Sequence, residues 1–195
     1  MEKERRTTFS ILNIAVMAVL VAMQIVLARF AGVQINEGLR LSFESIPTIL
    51  AGFWLGPVGG MLVAAVADFL GWLVSGYGVY FPLYTVGPVL LGLLTGIGAN
   101  IFLKGEPAWK AAWKAILIIL LAEVCSSLLY GTWALTLYYS IIVGKEVPFS
   151  VLFLARLSTK PVTMVLDALL AFLIHKAVYR TVVCNILHRP APTQN

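Results

Sequence analysis

The sequence predicts an all-α membrane protein, a bundle of six transmembrane helices with both termini cytoplasmic. Three observations carry this. Only 12% of the 195 residues are charged and 60% are hydrophobic, whereas a soluble domain carries about 25% charged residues. The apolar residues fall in long runs, and a span needs about 20 of them to cross about 30 Å of hydrocarbon. The 14 Lys and Arg side chains divide unequally between the run ends, as the positive-inside rule describes.

The runs follow in order, with short connections. The first covers 9–30, after the basic start MEKERRTT. It is too long for a signal-peptide core and no small-residue cleavage site follows it, so it reads as a retained span. A loop of some polar character covers 31–42. A short second helix covers 44–55 and a third 58–75, divided by Gly56-Pro57. Glycine and proline together end one helix and start the next. The glycine and aromatic segment 76–81 leads to a fourth helix over 82–102. A charged loop, 104–110, precedes the fifth run, 112–143. After a turn at 144–148 the sixth covers 151–182. The last two exceed bilayer thickness and are expected to tilt or project. One domain results: a cytoplasmic N-terminus over 1–8, the transmembrane domain over 9–182 and a disordered cytoplasmic tail over 183–195.

Orientation follows from the cations. Lys3, Arg5, Arg6, Lys104, Lys110, Lys114, Lys176, Arg180 and Arg189 share one side; Arg29, Arg40, Lys145, Arg156 and Lys160 share the other. The first set is cytoplasmic. An even number of spans independently requires both termini on one side. The net charge of +5 therefore records topology; no basic stripe for nucleic acid exists. Cys125 and Cys184 offer no disulfide framework.

Chemistry concentrates on the outer side. Arg156 and Lys160 are four apart and share a helical face, beside Thr159 and above Pro161. A cation pair at an outer mouth suits a carboxylate-bearing solute; snorkelling to lipid phosphate is the competing account. Arg29 and Arg40 bracket the first outer loop, either as solute contacts or as interfacial anchors paired with Glu37 or Glu44. Phe43, Trp72, Tyr77, Tyr80, Phe81, Tyr84, Trp133, Tyr138 and Tyr139 form an outer aromatic set. Such rings either line a pocket for a flat heteroaromatic solute or belong to the interfacial belt.

Three carboxylates lie inside apolar runs, where each must face protein or a cavity. Asp68 is either an acceptor for an amino-heterocycle or a structural partner. Structural pairing with hydroxyls or a buried cation is the expected role of Glu123 and Asp167. Ala18 and Ala22 form a small-xxx-small pair that admits another helix closely.

No HExxH, GxSxG, CxxC or P-loop pattern is present. His175 and His188 have no acidic partner in a motif. The residues provide neither a nucleophile with a base nor a metal site, so no enzyme, cofactor or ATP-hydrolysing function is expected. The six spans show no evident inverted repeat of a self-sufficient transporter.

RLSFESIPTILAGFWLGPVGGMLVAAVADFLGW (40–72), its continuation GVYFPLYTVGPVLLGLLTGIG, the VLARF at the end of the first run and the AVLVA around Ala18 together carry a family resemblance over nearly the whole chain. The sequence resembles the substrate-binding S components of energy-coupling factor (ECF) vitamin transporters, and within them most resembles the folate-specific group. The resemblance implies a high-affinity vitamin site near the outer surface, with the loop after the first helix as its lid. It implies partners: a transmembrane coupling subunit, docked through the alanine motif at Ala18 and Ala22, and two ATP-binding cassette ATPases that alone use ATP. Arg29 matches an arginine position of the folate group. Arg40, Phe43, Tyr80, Tyr84, Arg156 and Lys160 follow from location and chemistry, with Asp68 facing the pterin's donor edge. An S component for pantothenate, a queuosine precursor or thiamin is an alternative, and a small membrane enzyme a further one. The basic mouth disfavours cationic thiamin.

Overall fold

The computed structural model describes residues 11–30, 33–36, 39–41, 43–75, 80–103 and 108–178. The expected cytoplasmic segments 1–8 and 183–195, the ring of Tyr77, most of the charged loop 104–110 and the last residues of the sixth run fall outside them. So do the side chains of Glu37 and Arg40.

Helix α1 spans Ile11–Phe30. A two-stranded antiparallel hairpin follows, β1 (Val33–Asn36) and β2 (Leu39–Leu41). It adds a short sheet to a chain expected to be wholly helical. Helix α2 spans Ser45–Ser75, α3 Pro82–Phe102 and α4 Ala108–Glu123. A π-helical stretch, Val124–Tyr130, joins α4 to α5 (Gly131–Tyr138). A second, Tyr139–Val143, ends that run, and α6 covers Phe149–Val178. Among the described residues, five helices are long and apolar enough to cross a membrane, counting the run Ala112–Val143 as one.

The expected break between the second and third helices is present as a kink. Gly56 has φ 83° and ψ −174°, a conformation that only glycine adopts at little cost. Pro57 then opens the next segment, where its missing N–H removes no helical bond. Segments 45–55 and 57–75 are thus two helices joined without a loop.

Close packing fixes α2 against α3. A Cβ on Gly60 would stand 2.6 Å from the Gly92 carbonyl oxygen, so the backbones meet where neither residue has a side chain. Two thirds of the most apolar window of α2 is buried, against 17% in α1. Helix α2 is therefore central and α1 peripheral. Ile11, Ala15, Ala18, Ala22 and Val26 lie along an exposed face of α1, which is a lipid-facing or partner-facing stripe by spacing. Exposed Trp113, Leu117, Leu121 and Leu173 cover other helices, as expected of a surface bathed in hydrocarbon.

The packed core occupies one half of the bundle. Ile49, Leu50 and Phe53 of α2 meet Leu20 of α1, Ile119 of α4 and Ala171 of α6. Trp54 Nε1 donates to His175 Nδ1 at 3.1 Å, and Phe53 meets the His175 ring edge-on at 5.4 Å. These contacts tie α2 to the C-terminal end of α6.

Candidate functional site

A cavity of about 720 Å³ lies between α1, α2, α3, the α4–α5 run and α6. Its polar lining comes from the residue types that were hardest to reconcile with lipid in the sequence. Five of the eight sequence-predicted solute-site residues meet there: Arg29, Asp68, Tyr84, Arg156 and Lys160. Three do not. Phe43 packs on the hydrophobic core. Tyr80 is absent from the lining; its hydroxyl is 2.7 Å from the Thr85 hydroxyl, behind Asp68. The Arg40 side chain is outside the described residues, its backbone pairing with Gln34 in the hairpin. Ala18 and Ala22, the expected docking pair, lie away from the cavity on the exposed face of α1.

Arg156 is held by a feature of the backbone that apolar periodicity does not reveal. Its Nη1 donates to the Ser127 carbonyl at 3.2 Å, inside the first π-helical stretch. Such stretches recur at functional sites because the changed hydrogen-bond register alters which backbone groups are available. Gly131 makes room: a Cβ there would approach Arg156 Nη1 to 2.9 Å. Tyr84 lies within electrostatic reach of the same guanidinium. It also packs on Phe81 and Tyr138, at 5.4 Å in each case.

Further rings line the cavity. Trp72 lines the cavity and packs on Tyr80 at 5.1 Å. Beside it, Asp68 Oδ2 accepts from the Thr85 hydroxyl at 2.5 Å. Tyr130, another lining residue, donates to the Leu83 carbonyl at 3.0 Å and packs on Trp133.

Asp167 lies eleven residues beyond Arg156 on α6, about 16 Å along the helix axis. Ser45, at the start of α2, lies within reach of its carboxylate. Glu123, at the end of α4, lies within electrostatic reach of both Asp167 and Lys160. All of these line the cavity. Glu123 Oε1, Ser126 Oγ and Asp167 Oδ1 are buried with no hydrogen-bond partner among the described residues. Gln24 and Thr48 complete this end, with Thr48 Oγ1 donating to Gln24 Oε1 at 2.8 Å.

Sequence reasoning left out Gln24, Thr48, Ser126 and Tyr130. An amide in the middle of the most apolar run was the available signal for Gln24. Ser126 and Tyr130 reach the cavity through the π turn, which shifts the face a residue occupies. Among the described residues, no group of three His, Cys, Asp or Glu side chains is placed to hold a metal ion.

The profile of the family described as "ECF-type riboflavin transporter, S component" matches residues 8–180. The chain belongs to this family. The S component is thus an integral membrane transporter subunit and not an enzyme. It is 27% identical over 169 residues to the "Folate transporter FolT" of Clostridium novyi (strain NT), covering 87% of this chain and 91% of that one. The protein of the same name from Leuconostoc mesenteroides subsp. mesenteroides is 26% identical over 126 residues, 64% of each chain. The solved structure "Crystal structure of FolT bound with folic acid" superposes with a TM-score of 0.62 at 24% identity, over 95% of this chain and 99% of that one. At that identity the likeness speaks for the fold.

Proposed function

We propose that this S component binds folate with high affinity from outside and delivers it through an ECF-type ABC importer. One observation carries the reading: a single cavity joins three cations, Arg29, Arg156 and Lys160, to the rings of Trp72, Tyr84 and Tyr130 and to polar groups at its far end. Folate combines a pterin, a benzoyl linker and a glutamate with two carboxylates. Rings suit the first two and forked guanidinium donors suit the last. The two relatives called folate transporters support the same choice. The family description names riboflavin, whose uncharged ribityl tail has no carboxylate for the cations.

In this proposal the chain passes six times through the membrane with both termini cytoplasmic. Segment 45–55 is only about 16 Å long, half of the hydrocarbon thickness. The nearness of Ser45 to Asp167 supports placing its start at mid-depth. In this reading the connection from the outer end of α1 descends to reach it, and the β1–β2 hairpin serves as the lid of the cavity. The transmembrane domain over 9–182 needs no cofactor of its own. Its partners are a transmembrane coupling subunit, met through Ala18 and Ala22, and two ATPases that use the ATP. Phe43, Tyr80 and Arg40 act around the lid and behind the lining, while Arg29, Asp68, Tyr84, Arg156 and Lys160 meet the vitamin.

The test is equilibrium binding of folate and riboflavin to the purified protein in nanodiscs without partners. Saturable folate binding with riboflavin at least a hundredfold weaker is expected. Tighter riboflavin binding would reverse the assignment.

A further inference from the structure

We propose that Glu123, Ser126 and Asp167 form a selectivity subsite at the far end of the cavity, which recognises a heterocycle by adjacent N–H donors on one edge. This rests on the reading that the cavity takes a pterin-bearing vitamin. It names the groups that separate a pterin from a flavin.

Glu123 and Asp167 are each 3% exposed and Ser126 is 1% exposed. Each nevertheless keeps one oxygen without a partner among the described residues, and all three line the cavity. A buried acceptor without a donor is costly, and native proteins rarely leave one. Here three line one cavity, from the end of the α4 run and from α6. Ser45 lies within reach of the Asp167 carboxylate, and Lys160 lies within electrostatic reach of both carboxylates. Asp68 differs: its Oδ2 already accepts from Thr85, whose hydroxyl is tied to Tyr80.

The ligand chemistry follows from donor and acceptor matching. A pterin edge presents the two hydrogens of its 2-amino group beside the N3–H. Two carboxylate oxygens and a hydroxyl accept from such an edge. A flavin edge presents one N3–H between two carbonyl oxygens. Those carbonyls would face the same acceptors with nothing to donate. A site built to bond a donor rejects the analogue that lacks it far more strongly than an apolar pocket rejects a methyl group.

The experiment compares folate with an analogue whose 2-amino group is replaced by methyl. Binding is measured to wild-type protein and to the Glu123→Gln and Asp167→Asn variants in nanodiscs. The wild type is expected to prefer folate by tenfold or more. That preference is expected to shrink at least threefold in one or both variants, since each substitution turns an acceptor into a mixed group of similar size. Equal binding of folate and analogue by the wild type would overturn the inference and leave the folate assignment standing. A preference retained in full by both variants would do the same. Absence of folate binding to folded wild type would overturn both readings. If one variant fails to fold, the wild-type comparison and the other variant decide.

Discussion

The guanidinium of Arg156 on α6 donates to the Ser127 carbonyl at 3.2 Å, across the cavity wall and into a π-helical turn. One backbone acceptor thus fixes a cation that is otherwise free to fold back along its own helix. The remaining N–H groups of the fork stay available toward Tyr84 and the cavity. Lysine has no fork to divide in this way. Arg156→Lys is therefore expected to weaken folate binding nearly as much as Arg156→Ala, by about 1–3 kcal/mol. Calorimetric titration checks this; wild-type affinity in the lysine variant would show that charge alone is enough.

Arg29 closes α1 at the rim of the cavity. Removing a charged hydrogen bond to a solute carboxylate costs about 1–3 kcal/mol. Arg29→Ala is expected to lower folate affinity by that amount while leaving the affinity for pteroic acid, which lacks the glutamate, nearly unchanged. An equal loss for both ligands would move Arg29 away from the glutamate.

Ala18 lies on the exposed face of α1 and makes no part of the cavity. Bulk there blocks close helix approach without touching the site. Ala18→Trp is expected to keep folate binding within twofold and to abolish uptake in cells that carry the energising module. Uptake at the wild-type rate would remove this face from the docking surface.

The seam between α2 and α3 has no space for a side chain at Gly92, where a Cβ would run into the Gly60 backbone. Overpacking a tight contact costs about 1–3 kcal/mol. Gly92→Val is expected to lower the melting temperature in detergent and to weaken folate binding, because the two walls that carry Asp68 and Tyr84 separate. Thermal unfolding by intrinsic fluorescence gives the answer, and an unchanged midpoint would contradict the seam.

Much of this architecture was legible in the sequence because lipid imposes simple rules. Long apolar runs gave the helices, and Gly56-Pro57 gave the break inside α2. Charges that lipid does not tolerate gave the cavity lining at Asp68, Arg156 and Lys160. The hairpin was not legible, since 31–42 alternates too weakly to declare strands. Nor were the two π stretches: the apolar pattern of 112–143 continues through them, and a shift of one residue per turn leaves no compositional mark. That shift brings Ser126, Ser127 and Tyr130 to the cavity. Phe43 and Tyr80 have the residue type of a ring pocket, but tertiary packing turns Phe43 into the core and seats Tyr80 behind Asp68.

The most direct test of the account is a folate titration of the purified chain in nanodiscs, read by tryptophan fluorescence. Trp72 lines the cavity, so a bound pterin is expected to quench its emission. Saturable quenching at nanomolar folate, lost in Trp72→Phe while calorimetry still reports binding, is the predicted result. Folded protein that neither quenches nor binds folate by calorimetry would contradict the assignment.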